Sequence, residues 1–285
     1  MGAVFVTGAT GTVGSAVVKH LLELGQSVIA GIRDPHDTDR IPPGAEARAF
    51  SFEDAPEIIE QALEGADRLF LMRPPAISDV QGKLFPVIDA AQHRGIRQIA
   101  FLSLQGVQVN RKTPHHSVEN YMRSVRSPYT FLRPNFFMQN LSTTYAGPIR
   151  QRGEIFVPAG RSRTAFIDAR DVGRAAAATL THPGHIEKAY TLSGPQSLSY
   201  HAVAETMTDV LGRLIRYDRP SEDAYLAQLA ADGAPDDYIV VQKMIHKVVR
   251  LNISAFPNHS VHKLTGRPAI TLKEFVGDYA DAWKV

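Results

Sequence analysis

Three evenly spaced glycines, Gly8, Gly11 and Gly14, follow directly on the apolar stretch Ala3-Val4-Phe5-Val6 and constrain the fold more than anything else in the chain. Behind them Val13, Val17, Leu21 and Leu24 recur at helical spacing, Gly25 stops the helix, and Ser27-Val28-Ile29-Ala30 reads as a second strand. Strand, glycine turn, helix and strand in that order make a βαβ unit of about 30 residues. A turn without side chains lets bare backbone approach a pyrophosphate, whose charge then meets free N–H groups and the positive end of the helix dipole. The ligand implied is a dinucleotide, held by Gly8, Thr10, Gly11, Thr12, Val13 and Gly14. The alternative is that the glycines serve the turn alone.

Further strand signals leave room for a helix between most pairs: Val4–Thr7, Val28–Ile32, Ala47–Ser51, Leu69–Met72, Ile99–Ser103 and Tyr129–Leu132. Helical segments at Ala55–Leu63, Val80–Arg94 and Ser117–Val125 alternate with them, and several strands are apolar on both faces, as burial between two helix layers requires. The fold class expected is α/β, a doubly wound parallel sheet with a smaller, mostly helical C-terminal substrate lobe. Beyond Pro134 the pattern is mixed. Asn135–Arg152 reads as a helix interrupted by Gly147-Pro148, Gly153–Pro158 as a short strand, and Phe166 to Leu192 as a return to the sheet through an alanine-rich helix. Helices are expected at His201–Leu211, Ser221–Ala231 and Asp236–Val249. The division expected is a nucleotide-binding domain over 1–152, its sheet completed by about 164–193, and an interleaved substrate lobe over 153–285.

Composition narrows the function by exclusion. The 285 residues carry 31 Lys and Arg against 29 Asp and Glu, a net charge of +2 with no basic stripe, so neither nucleic acid nor a membrane surface is an expected partner. There is no cysteine, which removes disulfides, thiolate catalysis and the usual zinc clusters. No secretory signal pattern opens the chain and no apolar run approaches 18 residues, so a cytoplasmic protein is expected.

The Gly-x-x-Gly-x-x-Gly spacing, Ala30-Gly31-Ile32-Arg33-Asp34-Pro35, His115-His116-Ser117-Val118-Glu119-Asn120-Tyr121, and Tyr129-Thr130-Phe131-Leu132-Arg133-Pro134-Asn135 with Asn140 beyond, together resemble one group. This is the NmrA-like branch of atypical short-chain dehydrogenases, which includes zinc-independent NAD(P)H quinone oxidoreductases and triphenylmethane reductases. The resemblance spans most of the chain and is least specific beyond about Tyr225. It implies a Rossmann-type fold and NADPH as cofactor, with NADH second.

Arg33 is the first polar residue after the second strand, where a guanidinium meets a 2′-phosphate; Asp34 would instead serve the ribose in an NAD site. Ligands of parallel sheets lie outside the carboxyl ends of the strands. On that rule Ser51 and Phe52 flank the adenine, Met72 and Arg73 the ribose, Ser103 and Leu104 the nicotinamide ribose, and Phe136 and Phe137 border the nicotinamide pocket, with Pro134 also expected as a cofactor contact. Each of these positions also has a purely structural reading.

None of the nine tyrosines has a lysine four residues later, so the Tyr-x-x-x-Lys dyad of ordinary short-chain dehydrogenases is missing. At the matching place stand His115 and Glu119, four apart and on one helical face. The resemblance puts His115 nearest the nicotinamide, with Glu119 as its partner in the motif. At an ordinary pKa near 6.5 such a histidine can hydrogen-bond the cofactor or protonate a reduced quinone, and a role in holding the helix stays open beside these. His116 is expected at the surface, and no metal is expected. An apolar pocket for a planar acceptor is sought among Phe136, Phe137, Met138, Tyr145, Tyr238 and Met244, with Phe137 and Tyr145 foremost.

Two functions compete at this level. One is an NADPH-dependent oxidoreductase acting on a small-molecule acceptor, a quinone or similar planar conjugated compound; the other is a non-catalytic redox sensor that binds the dinucleotide and signals to a protein partner. A homodimer is compatible with either.

Overall fold

Seven parallel strands form one sheet in the computed structural model, which describes residues 2–284. The chain divides into two compact units, the first running up to Pro134 with Ala169–Leu192 and Ser260–Arg267, the second made of Asn135–Asp168, Ser193–His259 and the chain from Pro268 onward. The first unit thus stops at Pro134, short of the residue 152 expected from sequence.

In chain order the first unit opens with β1 (Ala3–Val6), α1 (Thr12–Glu23), β2 (Val28–Ile32), β3 (Glu46–Ala49), α2 (Pro56–Ala62) and β4 (Ala66–Met72). It continues with α3 (Val80–Lys83), α4 (Phe85–His93), β5 (Gln98–Leu102), α5 (Pro114–Ser124) and β6 (Tyr129–Pro134). The second unit then contributes α6 (Ala146–Arg152) and β7 (Arg163–Thr164), after which α7 (Ala169–Thr181) and β8 (Lys188–Leu192) belong to the first again. Next come β9 (Leu198–Ser199), α8 (Tyr200–Leu211), α9 (Glu222–Ala231) and α10 (Asp236–Arg250) of the second unit, α11 (Ser260–Thr265) of the first and α12 (Leu272–Asp278) of the second.

The sheet order is β3-β2-β1-β4-β5-β6-β8, with every neighbouring pair parallel. It reverses direction between β1 and β4, the crevice at which doubly wound sheets bind ligands. Every residue of β2 and β5 is buried, because helices cover both faces. The four consecutive alanines Ala175–Ala178 give α7 a low-relief surface that packs against α1. Phe5, Leu69, Leu71, Phe101 and Phe131, all without exposed surface, centre the core of this unit, and each such burial contributes about 1.5–3 kcal/mol. Arg68 is buried here but fully satisfied, by Asp67 at 2.8 Å and by the carbonyls of Leu180 at 2.9 Å and Gly2 at 3.0 Å.

The second unit has its own core around Phe275, Val276, Leu272 and Trp283, whose indole N–H donates to the Leu141 carbonyl at 2.8 Å. Its only strand pair among the described residues is β7 with β9, two residues each.

Three local expectations fail for physical reasons. The helix expected over Val80–Arg94 is two helices, since the Pro86 ring would clash with the carbonyl four residues back and the chain restarts at Phe85. Gly147-Pro148 does not interrupt a helix but lies in the first turn of α6, where the proline's missing N–H would have been unpaired anyway. Gly153–Pro158 makes no strand, only a single bridge from Glu154 to Arg216.

Candidate functional site

The turn between β1 and α1 is built by backbone alone. Gly8 takes a left-handed φ of 63°, and Gly11 N–H donates to the Gly8 carbonyl at 2.9 Å, closing the turn. A Cβ on Gly14 would stand 2.0 Å from that same carbonyl oxygen, so only glycine allows the turn to fold back on the helix. Gly11 is the N-cap of α1 and no side chain caps it. The first-turn N–H groups are therefore offered outward with the positive end of the dipole, beside the exposed Gly11 and Thr12 and the half-buried Thr10. The Val13 side chain is buried and anchors the helix, leaving its backbone for any contact. Thr7 ties this turn to the end of β4, its hydroxyl donating to the Phe70 carbonyl at 3.1 Å and accepting from Met72 N–H at 2.9 Å. A backbone cradle with uncapped donors fits a diphosphate.

At the tip of β2 the two candidate selectors separate. The Asp34 carboxylate caps the short helical turn Pro35–Arg40, accepting from His36 N–H at 2.9 Å. Arg33 is exposed and has no hydrogen-bond or ion-pair partner among the described residues. The guanidinium is free among the described residues and the carboxylate is engaged.

Beyond β3, the Ser51 hydroxyl accepts from Glu53 N–H at 3.1 Å and its backbone N–H donates to Asp54 at 2.8 Å, while Phe52 packs edge-on against Phe50. Beyond β4, Met72 lies against Gly8, and Arg73 folds onto its own loop, Nη1 donating to the carbonyls of Pro74 at 3.0 Å, Pro75 at 3.1 Å and Ile77 at 2.5 Å.

The ends of β5 and β6 meet α5 in a buried charge network that the sequence reading did not foresee. Glu119 accepts from Ser103 Oγ at 2.7 Å, from Arg133 Nε at 2.8 Å and Nη2 at 2.5 Å, and from Arg123 Nη2 at 3.0 Å. Burial pushes its carboxyl up, but these hydrogen bonds and the charges of Arg133 and Arg123 outweigh that and hold it below the ordinary value. Glu119 is thus committed to four donors and serves as a structural anchor, not as the proton-carrying partner of His115. Ser103 is likewise engaged, and Pro134 is buried with its carbonyl accepting from Gln105 N–H at 3.0 Å. Arg133 was detectable as the one charged residue in the strand Tyr129–Pro134.

His115 is half-buried above Phe101, with ring centroids 6.1 Å apart. Burial and then the Arg73 charge push its pKa down to about 4, against the opposing pull of Glu119. The protonated acid contemplated from sequence is therefore corrected to a neutral imidazole at pH 7. His116 is no idle surface residue: Nδ1 lies 3.0 Å from the Val107 carbonyl and Nε2 2.8 Å from the Asn120 amide, which fixes the ring.

Of the residues expected to build an acceptor pocket, all in the second unit, Phe136 and Phe137 are half-buried and joined through backbone to Ile167. Met138 and Tyr145 are core residues, 1% and 8% exposed, and burial raises the Tyr145 phenol well above its ordinary pKa. Tyr238 and Met244 lie on the exposed side of α10. Among the described residues no group of three His, Asp or Glu is arranged for a metal ion, and no helix is long and apolar enough to cross a membrane.

A family model for the NmrA-like family matches residues 2–275. The chain belongs to this family. Among the relatives of this NmrA-like chain is the NAD(P)H azoreductase of Xenophilus azovorans, 31% identical over 286 residues that cover 98% of this chain and 99% of the relative. The NADPH-dependent quinone oxidoreductase of Escherichia coli, solved with NADPH, superposes with a TM-score of 0.87 at 24% identity over 96% of this chain and 99% of its own. The triphenylmethane reductase of Citrobacter sp., solved with NADP(H), gives 0.86 at 24% identity over 97% of this chain and 100% of its own. These two likenesses establish the fold over nearly the whole chain.

Proposed function

We propose that the chain is an NADPH-dependent oxidoreductase that passes a hydride to a quinone or a similarly planar, conjugated acceptor. The observation that carries this is the glycine-spaced turn at Gly8–Gly11 leading into a helix whose N-terminus no side chain caps, with the unpartnered Arg33 guanidinium at the neighbouring strand tip. Similarity to an azoreductase, a quinone oxidoreductase and a triphenylmethane reductase supports the same reading, since each of those names denotes a conjugated acceptor. The sensor alternative draws no support from these relatives.

In this reading the N–H groups of Thr12, Val13 and Gly14 hold the diphosphate and Arg33 the 2′-phosphate. The segments Ser51-Phe52, Met72-Arg73 and Ser103-Leu104, with Pro134, border the rest of the dinucleotide. NADPH, when bound, supplies the hydride from its nicotinamide ring. His115 offers a neutral N–H to the cofactor or to the acceptor oxygen, and Glu119 holds α5 so that it does. No charged acid is needed, because a reduced quinone takes its proton from water.

Steady-state turnover tests this directly: NADPH absorbance is followed with a panel of quinones, azo dyes and enals. Turnover that His115→Ala slows while NADPH binding persists is expected. Tight NADP binding with no turnover on any acceptor would overturn the enzymatic reading.

A further inference from the structure

The large apolar side chains that this chain leaves exposed are gathered in one place. Of the twelve among the described residues, seven lie between Tyr238 and Phe256, on α10 and the loop that follows it. Hydrophobic residues scattered singly over a surface need no explanation, but a contiguous group marks an interaction surface.

α10 is apolar on two opposite sides. Gln242, His246 and Val249 form the side that its own unit buries. Val240, Val241, Met244 and Leu251 recur on the other at intervals of three, four and seven residues, each between 45% and 66% exposed.

Charge is ordered along the same outer stripe. Asp237 stands at its start, its carboxylate accepting from the adjacent Tyr238 N–H at 2.8 Å, and Lys247 stands near its end. The other two cations of the helix, Lys243 and Arg250, are drawn to Glu222 of α9, which leaves Lys247 without an ion-pair partner among the described residues. Asp237 and Lys247 are about 15 Å apart along the helix axis, beyond a Debye length of about 8 Å, so neither neutralises the other within one chain.

The stripe is its own complement when reversed. In two antiparallel copies of α10 related by a two-fold axis, Asp237 of one copy comes opposite Lys247 of the other and Val240 opposite Met244, each pairing occurring twice. A parallel pair would set like charge against like. We propose that the outer face of α10 is a homodimer interface, in which this helix packs antiparallel against the same helix of a second copy. A helix of 15 residues is about 22 Å long and about 10 Å across, which covers less than the roughly 1,200–2,000 Å² of a stable complex, so the association is reversible and micromolar. It does not depend on the oxidoreductase reading.

The test is sedimentation velocity on the full chain, loaded from about 1 to 200 µM, with weight-average sedimentation expected to rise with concentration from monomer toward dimer. Val240→Glu sets a charge against the Met244 of the other copy and is expected to stay monomeric over that range, with a wild-type thermal melt at low concentration. Asp237→Lys and Lys247→Asp each bring like charges together at two places and are each expected to weaken dimerisation at least about fivefold. The double variant restores opposite charges and is expected to return to within about twofold of wild type. A loss caused only by the helix dipole would add in the double variant rather than cancel. A wild-type chain monomeric at every concentration, a dimer that Val240→Glu leaves intact, or a double variant no stronger than the single ones would overturn the proposal. A monomeric wild type together with a raised quinone KM in Val240→Glu would overturn it in favour of the acceptor as the occupant of the stripe.

Discussion

Glu119 receives the Arg133 guanidinium side-on, Nε at 2.8 Å and Nη2 at 2.5 Å, and so bolts α5 to the end of β6 with almost no solvent at either group. A bidentate pair of this kind fixes direction as well as distance. Removing one partner leaves the other charge buried and uncompensated. Glu119→Gln is therefore expected to lower unfolding free energy by about 3–5 kcal/mol, measured by denaturant titration at neutral pH. The carboxyl's folded pKa lies below its ordinary 4.5, so its contribution is present above that value and lost as pH falls through the folded one. Wild-type stability should fall on that acid limb more steeply than that of Glu119→Gln. A variant as stable as wild type would refute the anchor.

Arg33 is expected to decide between the two nicotinamide cofactors. One charge-assisted pair contributes about 1.5–3 kcal/mol, roughly a 10- to 150-fold preference. Arg33→Ala should raise the NADPH dissociation constant at least about tenfold and leave that for NADH nearly unchanged. Equal losses in a fluorescence titration of both cofactors would remove Arg33 from the phosphate site.

How much of this was legible in the sequence differs between levels of structure. The bounds of β2, α8, α9 and α10 agree with expectation to within a residue, because Val28–Ile32 is apolar throughout and Ser199 and Ser221 sit as caps where the helical period begins. The parallel return through β8 was visible in the alanine run before it. The glycine turn was legible too, since its three glycines are read by local order alone. The Glu119–Arg133 pair was not: both residues stand in quoted motifs, but only the sheet brings the end of one strand beside the buried face of a helix. The neutral state of His115 was likewise invisible, because it depends first on burial in the folded chain and then on the charge of Arg73, more than forty positions away.

Gly14 tests the turn itself. A methyl group there would meet the Gly8 carbonyl oxygen, backbone that has no rotamer to escape into. Gly14→Ala is expected to cost about 1–3 kcal/mol through forced backbone movement and to weaken NADP binding at least about tenfold, since each misplaced donor to a charged phosphate loses roughly 1.5–3 kcal/mol. Calorimetric titration with NADP, alongside a thermal melt, separates the two effects. Wild-type binding in a destabilised variant would show that the cradle lies elsewhere.

His115 makes a pH prediction for turnover. With its pKa near 4, the ring stays neutral across the range in which an ordinary histidine titrates, so kcat with a quinone should show no inflection between about pH 5.5 and 8. A bell or step centred near 6.5 would restore the charged acid.

His246 carries the last prediction, in the second unit. It has no exposed surface, its ring lies edge-on to Tyr225 at 5.0 Å, and neither nitrogen finds a partner among the described residues. Burial, and then the Arg250 charge, lower its pKa to about 4 against the pull of Glu222. In the unfolded chain the same ring takes up a proton near 6.5, so between 6.5 and about 4 the unfolded state binds more protons and stability falls as pH falls. His246→Leu removes two unsatisfied nitrogens and this proton linkage together. It is expected to be neutral or stabilising at pH 7, because deleting a buried polar group with no partner forfeits no hydrogen bond. At about pH 5 its advantage over wild type should widen, each pH unit of separation between the two pKa values being equivalent to about 1.4 kcal/mol. Denaturant midpoints at the two pH values measure this, and an advantage that does not grow on acidification would mean that His246 is protonated alike in the folded and unfolded chain.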